Sequence, residues 1–211
     1  MEQLNYKIAL KNKQIKDIYK SIDKQNKKEW SSHGLGHIKT VLKYAKTICK
    51  MFKIDKKTAN LTFLACVLHD IGAIGGKENH WKRSELFAQN YLKNAQFNEN
   101  DIALICEAVL NHHFATEDCS MVRLVLVLCD KLDISKRRIL PAGKKIIGMR
   151  QSMFINKIKL QKTANLFKII VKTTKNFNKN EFLEYKYTKK LVESANIFTS
   201  RMHCGFKICF C

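Results

Sequence analysis

A chain of 211 residues that is 45% apolar can bury one full hydrophobic core, which excludes a disordered polypeptide and predicts one main domain with appendages. Lys and Arg number 39 against 18 Asp and Glu, a formal net charge of +21, and this excess favours an anionic substrate or partner. Only six of the basic residues are Arg, and Lys, Asn and Ile abound beside a single Pro, a skew of the kind that compositional drift produces, so nucleic acid is an allowed but disfavoured partner.

In chain order, Met1 to Lys28 carries Lys at nearly every turn. The segment lacks signal-peptide character, and no later stretch approaches the roughly 18 apolar residues of a membrane span, so a cytoplasmic protein is expected. Leu4, Ile8, Ile15, Ile18, Tyr19 and Ile22 recur at helical spacing and predict one amphipathic helix from Leu4 to Ile22. Ser31 and Ser32 then offer caps for a helix to about Phe52, with His37 on its first turns. Lys56 to His69 is apolar nearly all round, as a central helix is, and Gly72, Gly75 and Gly76 end it. Further helices are expected over Lys82–Asn94, Glu99–His112 and Met121–Leu132, with a break at Pro141 and Gly143. Beyond it, Lys157–Leu160 and Leu166–Lys172 alternate with period two around Ala164-Asn165, which predicts a β-hairpin; a helix over Glu181–Ser200 and a short strand over Phe206–Phe210 follow. Cys49, Cys66, Cys106, Cys119 and Cys129 sit in apolar stretches without a CxxC pair and read as reduced core thiols, and the tail cysteines 204, 209 and 211 match no zinc-knuckle spacing.

Six of the seven histidines lie between positions 33 and 113. His33 and His37 are four apart, the separation that puts two imidazoles on one helix face, although Gly34 and Gly36 leave His33 in the preceding loop as the weaker ligand. His69 and Asp70 close an apolar helix, and Asp130 follows the run from Leu124 to Cys129. An ionised carboxylate at the end of a buried helix is costly to desolvate unless it is paired or coordinates a cation. A core histidine, an Asp–Lys pair or an exposed His112-His113 would each explain one position, but a shared metal explains His37, His69, Asp70 and Asp130 together.

The ordered set His37, His69-Asp70 and Asp130, with the flanking text Leu68-His69-Asp70-Ile71-Gly72 and Cys129-Asp130-Lys131-Leu132-Asp133, resembles the HD superfamily of metal-dependent phosphohydrolases over about residues 30–140. The resemblance implies a mainly α fold, an HD-type helical bundle over 31–150, with an added N-terminal helix over 1–30 and a small α+β extension over 151–211. It implies that His37, His69, Asp70 and Asp130 hold one divalent ion, and that His80, His112 and His113 complete a second site that Asp70 bridges. Histidine and carboxylate ligands suit Mn, Fe, Co or Ni, with Mg as a further option. The order is similar to that of HD-GYP cyclic dinucleotide phosphodiesterases and of HD-type diadenosine tetraphosphate hydrolases. No GYP motif follows His112-His113, however, and the position four before the first His is His33 rather than an acid.

The chemistry implied is hydrolysis of a phosphoester, of a nucleotide or dinucleotide, with Asp70, His69 and Lys131 as catalytic residues. Lys77, Arg83 and Arg137 are the candidate phosphate contacts, with Lys82, Lys136 and Arg138 also near the motifs; Trp81 reads as a packing residue. The competing reading is a nucleotide-sensing or nucleic-acid-binding module that keeps the fold without turnover. The expected partner is a small phosphorylated substrate, no membrane is expected, and a homo-oligomer is allowed.

Overall fold

The computed structural model describes residues 5–25 and 29–211. Two short helices, α1 (Tyr6–Lys11) and α2 (Lys13–Gln25), open the chain where a single helix is predicted. Asn12 breaks it: its side-chain oxygen accepts from the Ile15 amide at 3.1 Å and starts α2 afresh, a local hydrogen bond that competes with helix continuation. Ile15, Tyr19 and Ile22 are buried as the periodicity predicts, while Leu4 lies outside the described residues.

Helix α3 (Leu35–Met51) buries the stripe His37, Ile38, Val41, Leu42, Ala45, Ile48 and Cys49. Its cap differs from expectation. Gly34 occupies the cap position, and the Asp23 carboxylate reaches across from α2 to accept from the Leu35 amide at 3.2 Å. Ser31 instead forms an antiparallel bridge with Ile139, and the Ser32 amide donates to the Arg138 carbonyl. The cap thus comes from another helix, which no local motif reveals.

Helix α4 (Lys56–Leu68) is the centre of the bundle, touching α1, α3, α5 (His80–Asn94), α6 (Glu99–Leu110) and α7 (Met121–Lys131). Leu64, Leu68, Ala65 and Val67 are wholly buried, and each of the larger side chains contributes about 1.5–3 kcal/mol by leaving water. With the 3-10 turn Ile71–Gly75 it forms the stretch Lys56–Gly75, which is long and apolar enough to span a membrane by composition. This corrects the expectation that no such stretch exists; most of it is buried against other helices of the fold. Helix α7 is buried along its length from Val122 to Lys131.

The C-terminal segment pairs β1 (Ile155–Lys162) with β2 (Leu166–Thr173) antiparallel and adds β3 (Gly205–Phe210) parallel to β2, in the order β1-β2-β3. The helix expected over Glu181–Ser200 is two, α8 (Lys179–Glu184) and α9 (Lys186–Arg201), parted at Tyr185, whose backbone is extended (φ −69°, ψ 131°). Helix α9 packs on α7 and β3, and Phe52 of the bundle meets Phe198 at 4.7 Å and Phe167 at 5.4 Å, both edge to face. One continuous core therefore joins the extension to the bundle. All eight cysteines are free thiols, and those at 49, 66, 106, 119 and 129 are buried.

Candidate metal centre

The site is assembled from helix ends. His37 stands in the first turn of α3, and His69 is the C-cap of α4, with Asp70 next in the chain. His80 opens α5, His112 and His113 follow the end of α6, and Asp130 sits in the last turn of α7. Close contact between the turn after Asp70 and α5 is what brings His80 in: a side chain at Gly72 would meet the His80 carbonyl at 2.3 Å and the Ser84 amide at 2.5 Å. Ser84 Oγ instead accepts from the Gly72 amide at 2.9 Å.

Asp70 is the hub. Its Oδ2 lies 3.3 Å from both His37 Nε2 and His69 Nε2, and its Oδ1 lies 3.2 Å from His80 Nε2 and 3.5 Å from His112 Nε2. His37 Nε2 is also 3.2 Å from Asp130 Oδ1, and His80 Nε2 is 3.3 Å from His112 Nε2. Ligands about 2.1 Å from a common ion at 90–110° to one another stand about 3.0–3.4 Å apart, which is the spacing seen.

The ring tautomers agree. His37 Nδ1 donates to Asp133 Oδ2 (2.8 Å), His69 Nδ1 to the Cys66 carbonyl (3.0 Å), His80 Nδ1 to the Lys77 carbonyl (2.7 Å) and His112 Nδ1 to the Val109 carbonyl (2.6 Å). Because each acceptor can only accept, the four neutral rings must carry the proton on Nδ1 and turn the Nε2 lone pair inward. The Cys66 and Val109 carbonyls are among the last of their helices, which have no intrahelical donor, so an imidazole just past each end satisfies one of them. His37 Nε2, His69 Nε2 and Asp70 Oδ2 are buried with no hydrogen-bond partner of proper geometry. Leaving such atoms unmatched is costly, and a divalent cation between them removes the cost. The residues fit a metal in two adjacent groups: His37, His69 and Asp70 in one, His80, His112 and His113 in the other.

Electrostatics follow from this crowding. Burial opposes charge on His37, and Arg138 opposes it further, but hydrogen bonds from Asp130, Asp133 and Asp70 outweigh both and raise its pKa to about 10. Burial likewise opposes ionisation of Asp70 and Asp130, yet His69 and His33 beside the first, and Lys131 and Arg138 beside the second, hold both carboxyls well below the usual range. Burial drives the His33 imidazole down to about 3 and His113 to about 4.

The centre floors a cleft enclosing about 760 Å³ out to its open mouth, which Lys77 and Lys131 help to line. Lys131 is buried, ion-paired to Asp130, with Nζ 3.5 Å from the His112 carbonyl. Trp81 packs edge-on against His113 at 4.8 Å. Two expected phosphate contacts are elsewhere. Arg83 spends its guanidinium on the Gly72 and Gly76 carbonyls, clamping the turn after Asp70. Arg137 is exposed on the outside of its turn and does not line the cleft. Its neighbour Arg138, whose carbonyl is pinned by the Ser32 amide, takes the inward place, with Nη2 3.1 Å from Asp130 Oδ1 and Nη1 3.0 Å from the Asp130 carbonyl. Sequence reasoning gave no role to Asp133; the only signal was a third buried acid in Asp130-Lys131-Leu132-Asp133. His33 is buried in the cleft wall with its ring 5.5 Å from His80.

Among known proteins, a crystal structure of a predicted HD superfamily hydrolase from an uncultured Thermotogales bacterium is similar to 58% of this chain and 67% of its own, at 21% identity and a TM-score of 0.48. No curated protein matches the chain. The family model of the HD domain matches residues 34–135, from the cap of α3 to just beyond α7, a span that contains every residue of the histidine–aspartate centre. Through that segment the chain belongs to the HD-domain superfamily of metal-dependent phosphohydrolases.

Proposed function

We propose that the protein is a divalent-metal-dependent phosphohydrolase that cleaves a phosphoester of a nucleotide or dinucleotide. The observation that carries the reading is the division of Asp70: one oxygen faces His37 and His69, the other faces His80 and His112. A carboxylate so placed supports a pair of ions, and mixed imidazole and carboxylate donors suit Mn, Fe, Co or Ni. When bound, such a pair supplies an activated water at neutral pH and charge neutralisation at the phosphoryl group.

The chain's own residues do the rest. The Nδ1 hydrogen bonds hold four rings in one tautomer and orientation. Lys131 and Arg138 balance the charge of Asp130 and stand at the cleft, where substrate oxygens can share their protons. Helix ends buried on the bundle side keep bulk water to the cleft mouth.

Metal analysis of the purified chain and of Asp70→Ala, followed by a hydrolysis screen with Mn²⁺ over nucleotides, dinucleoside polyphosphates and cyclic dinucleotides, tests the reading. Near two ions per chain, lost together with hydrolysis in the variant, is the expected result. A metal-free, inactive chain that binds RNA would instead favour the nucleic-acid-binding alternative.

A further inference from the structure

The C-terminal extension supplies one wall of the cleft, and that wall carries polar groups with nothing to bind. Thr188 and Tyr185 line the cleft, and the hydroxyl of each is buried without a hydrogen-bond partner; Thr188 is 1% exposed. A buried hydroxyl left unmatched costs stability, and Thr188 is held there firmly. Phe182 is buried beside it. Glu181 accepts from the Gly148 amide at 2.8 Å and from Arg150 through both carboxylate oxygens, at 2.7 and 2.8 Å. The Gln151 side chain accepts from the Asn178 amide at 2.8 Å.

The mouth of the same wall is basic and aromatic. Lys77 Nζ lies 5.3 Å from the Trp30 ring centroid and 5.9 Å from that of Tyr187; Lys186 Nζ lies 5.9 and 5.5 Å from the same two rings. Two ammonium groups share two rings, and neither has an acidic partner among the described residues. Ring faces attract each cation but leave their mutual repulsion standing, so the pair is matched to an anion. The Lys77 carbonyl also receives the His80 Nδ1 proton, so the mouth and the metal centre stand one lysine side chain apart.

We propose that this wall is a leaving-group subsite for a nucleoside polyphosphate: a second phosphate between Lys77 and Lys186, and the nucleoside against the Tyr185 and Thr188 hydroxyls beside the rings of Tyr187 and Trp30. The inference rests on the phosphohydrolase reading above and names its substrate class. A plain polyphosphate would use the lysines and leave the hydroxyls and rings unused; a nucleoside monophosphate would leave the lysines unused.

Calorimetric titration of the full chain with α,β-methylene-ADP, AMP and methylenediphosphonate tests it. The first ligand is expected to bind at least about tenfold more tightly than either of the others. The double variant Lys77→Ala/Lys186→Ala removes the advantage over AMP, Lys186→Arg restores most of it in a Lys77 background, and the isosteric Thr188→Val removes the advantage over methylenediphosphonate. Equal affinity for all three ligands, or folded variants that bind as the wild type does, overturns the subsite. If the wild type also hydrolyses phosphoesters in the Mn²⁺ screen, only the subsite then falls. If the expected binding pattern appears without turnover of any phosphoester, the subsite stands and the hydrolase reading falls.

Discussion

Asp133 touches no other ligand of the centre than His37, so its removal isolates what orientation contributes. In Asp133→Ala the His37 Nδ1 proton loses its acceptor at 2.8 Å, Ser135 Oγ loses its own at 2.9 Å, and His37 is fully enclosed, so no water replaces the carboxylate readily. Two effects follow: the ring is free to adopt the other tautomer, and its Nε2 becomes a poorer donor. Loss of such an outer partner costs roughly 10–100-fold in metal affinity, or about 1.4–2.7 kcal/mol at 1.4 kcal/mol per tenfold. In Asp133→Asn the amide oxygen still accepts from Nδ1, so the loss is expected at or below the lower bound. Competition with a chromophoric chelator, with Mn²⁺ or Co²⁺ as the ion, measures both variants against wild type. The metal-free protein holds a proton on His37, whose pKa is raised to about 10. Loading the ion expels that proton, so wild-type affinity rises with pH from 6 towards 9, and it rises less steeply in Asp133→Asn. Wild-type affinity in a folded Asp133→Ala chain would refute the orienting role.

Two further predictions concern the wall that the extension builds. Gly148 has φ +81°, and a methyl group there would stand 2.4 Å from Tyr185 Cβ. Gly148→Ala is therefore expected to destabilise the fold by about 1–3 kcal/mol, read as a lower midpoint in urea, where an unchanged midpoint would contradict the packing described. The Arg150 side chain, through its hydrogen bond, lowers the Glu181 carboxyl from its ordinary 4.5 to about 2. A depressed carboxyl stabilises the fold above its unfolded pKa and loses that contribution as pH falls through the folded value. Thermal midpoints of wild type and Glu181→Gln should differ at pH 7 and converge between pH 4.5 and 2. Arg150 is half-exposed, so the difference is small and shrinks with salt, and midpoints that stay parallel down to pH 2 would count against the pairing.

The ligands were legible in the sequence because each is a polar group where an apolar helix ends: Asp70 after Leu68-His69, Asp130 after Leu124 to Cys129. Burial of such groups demands a partner, and the demand can be read along the chain. The hairpin was legible for a similar reason, since its period of two needs no tertiary knowledge. What escaped was decided across space. The split at Tyr185 follows from a glycine 37 positions earlier in the chain, the α3 cap comes from Asp23 on another helix, and the choice of Arg138 over Arg137 depends on which main chain Ser32 holds. Thr188 marks the limit most clearly. In sequence it is an ordinary helix residue between Tyr187 and Lys189, and only the fold leaves its hydroxyl in the cleft wall without a partner. The HD domain's span at 34–135 carries the residues that handle the phosphoryl group, and the residues that discriminate among its esters fall outside it, at Trp30 and in the stretch from Arg138 to Thr188. A substrate is therefore to be sought by varying that outer wall while the histidine–aspartate centre is held fixed.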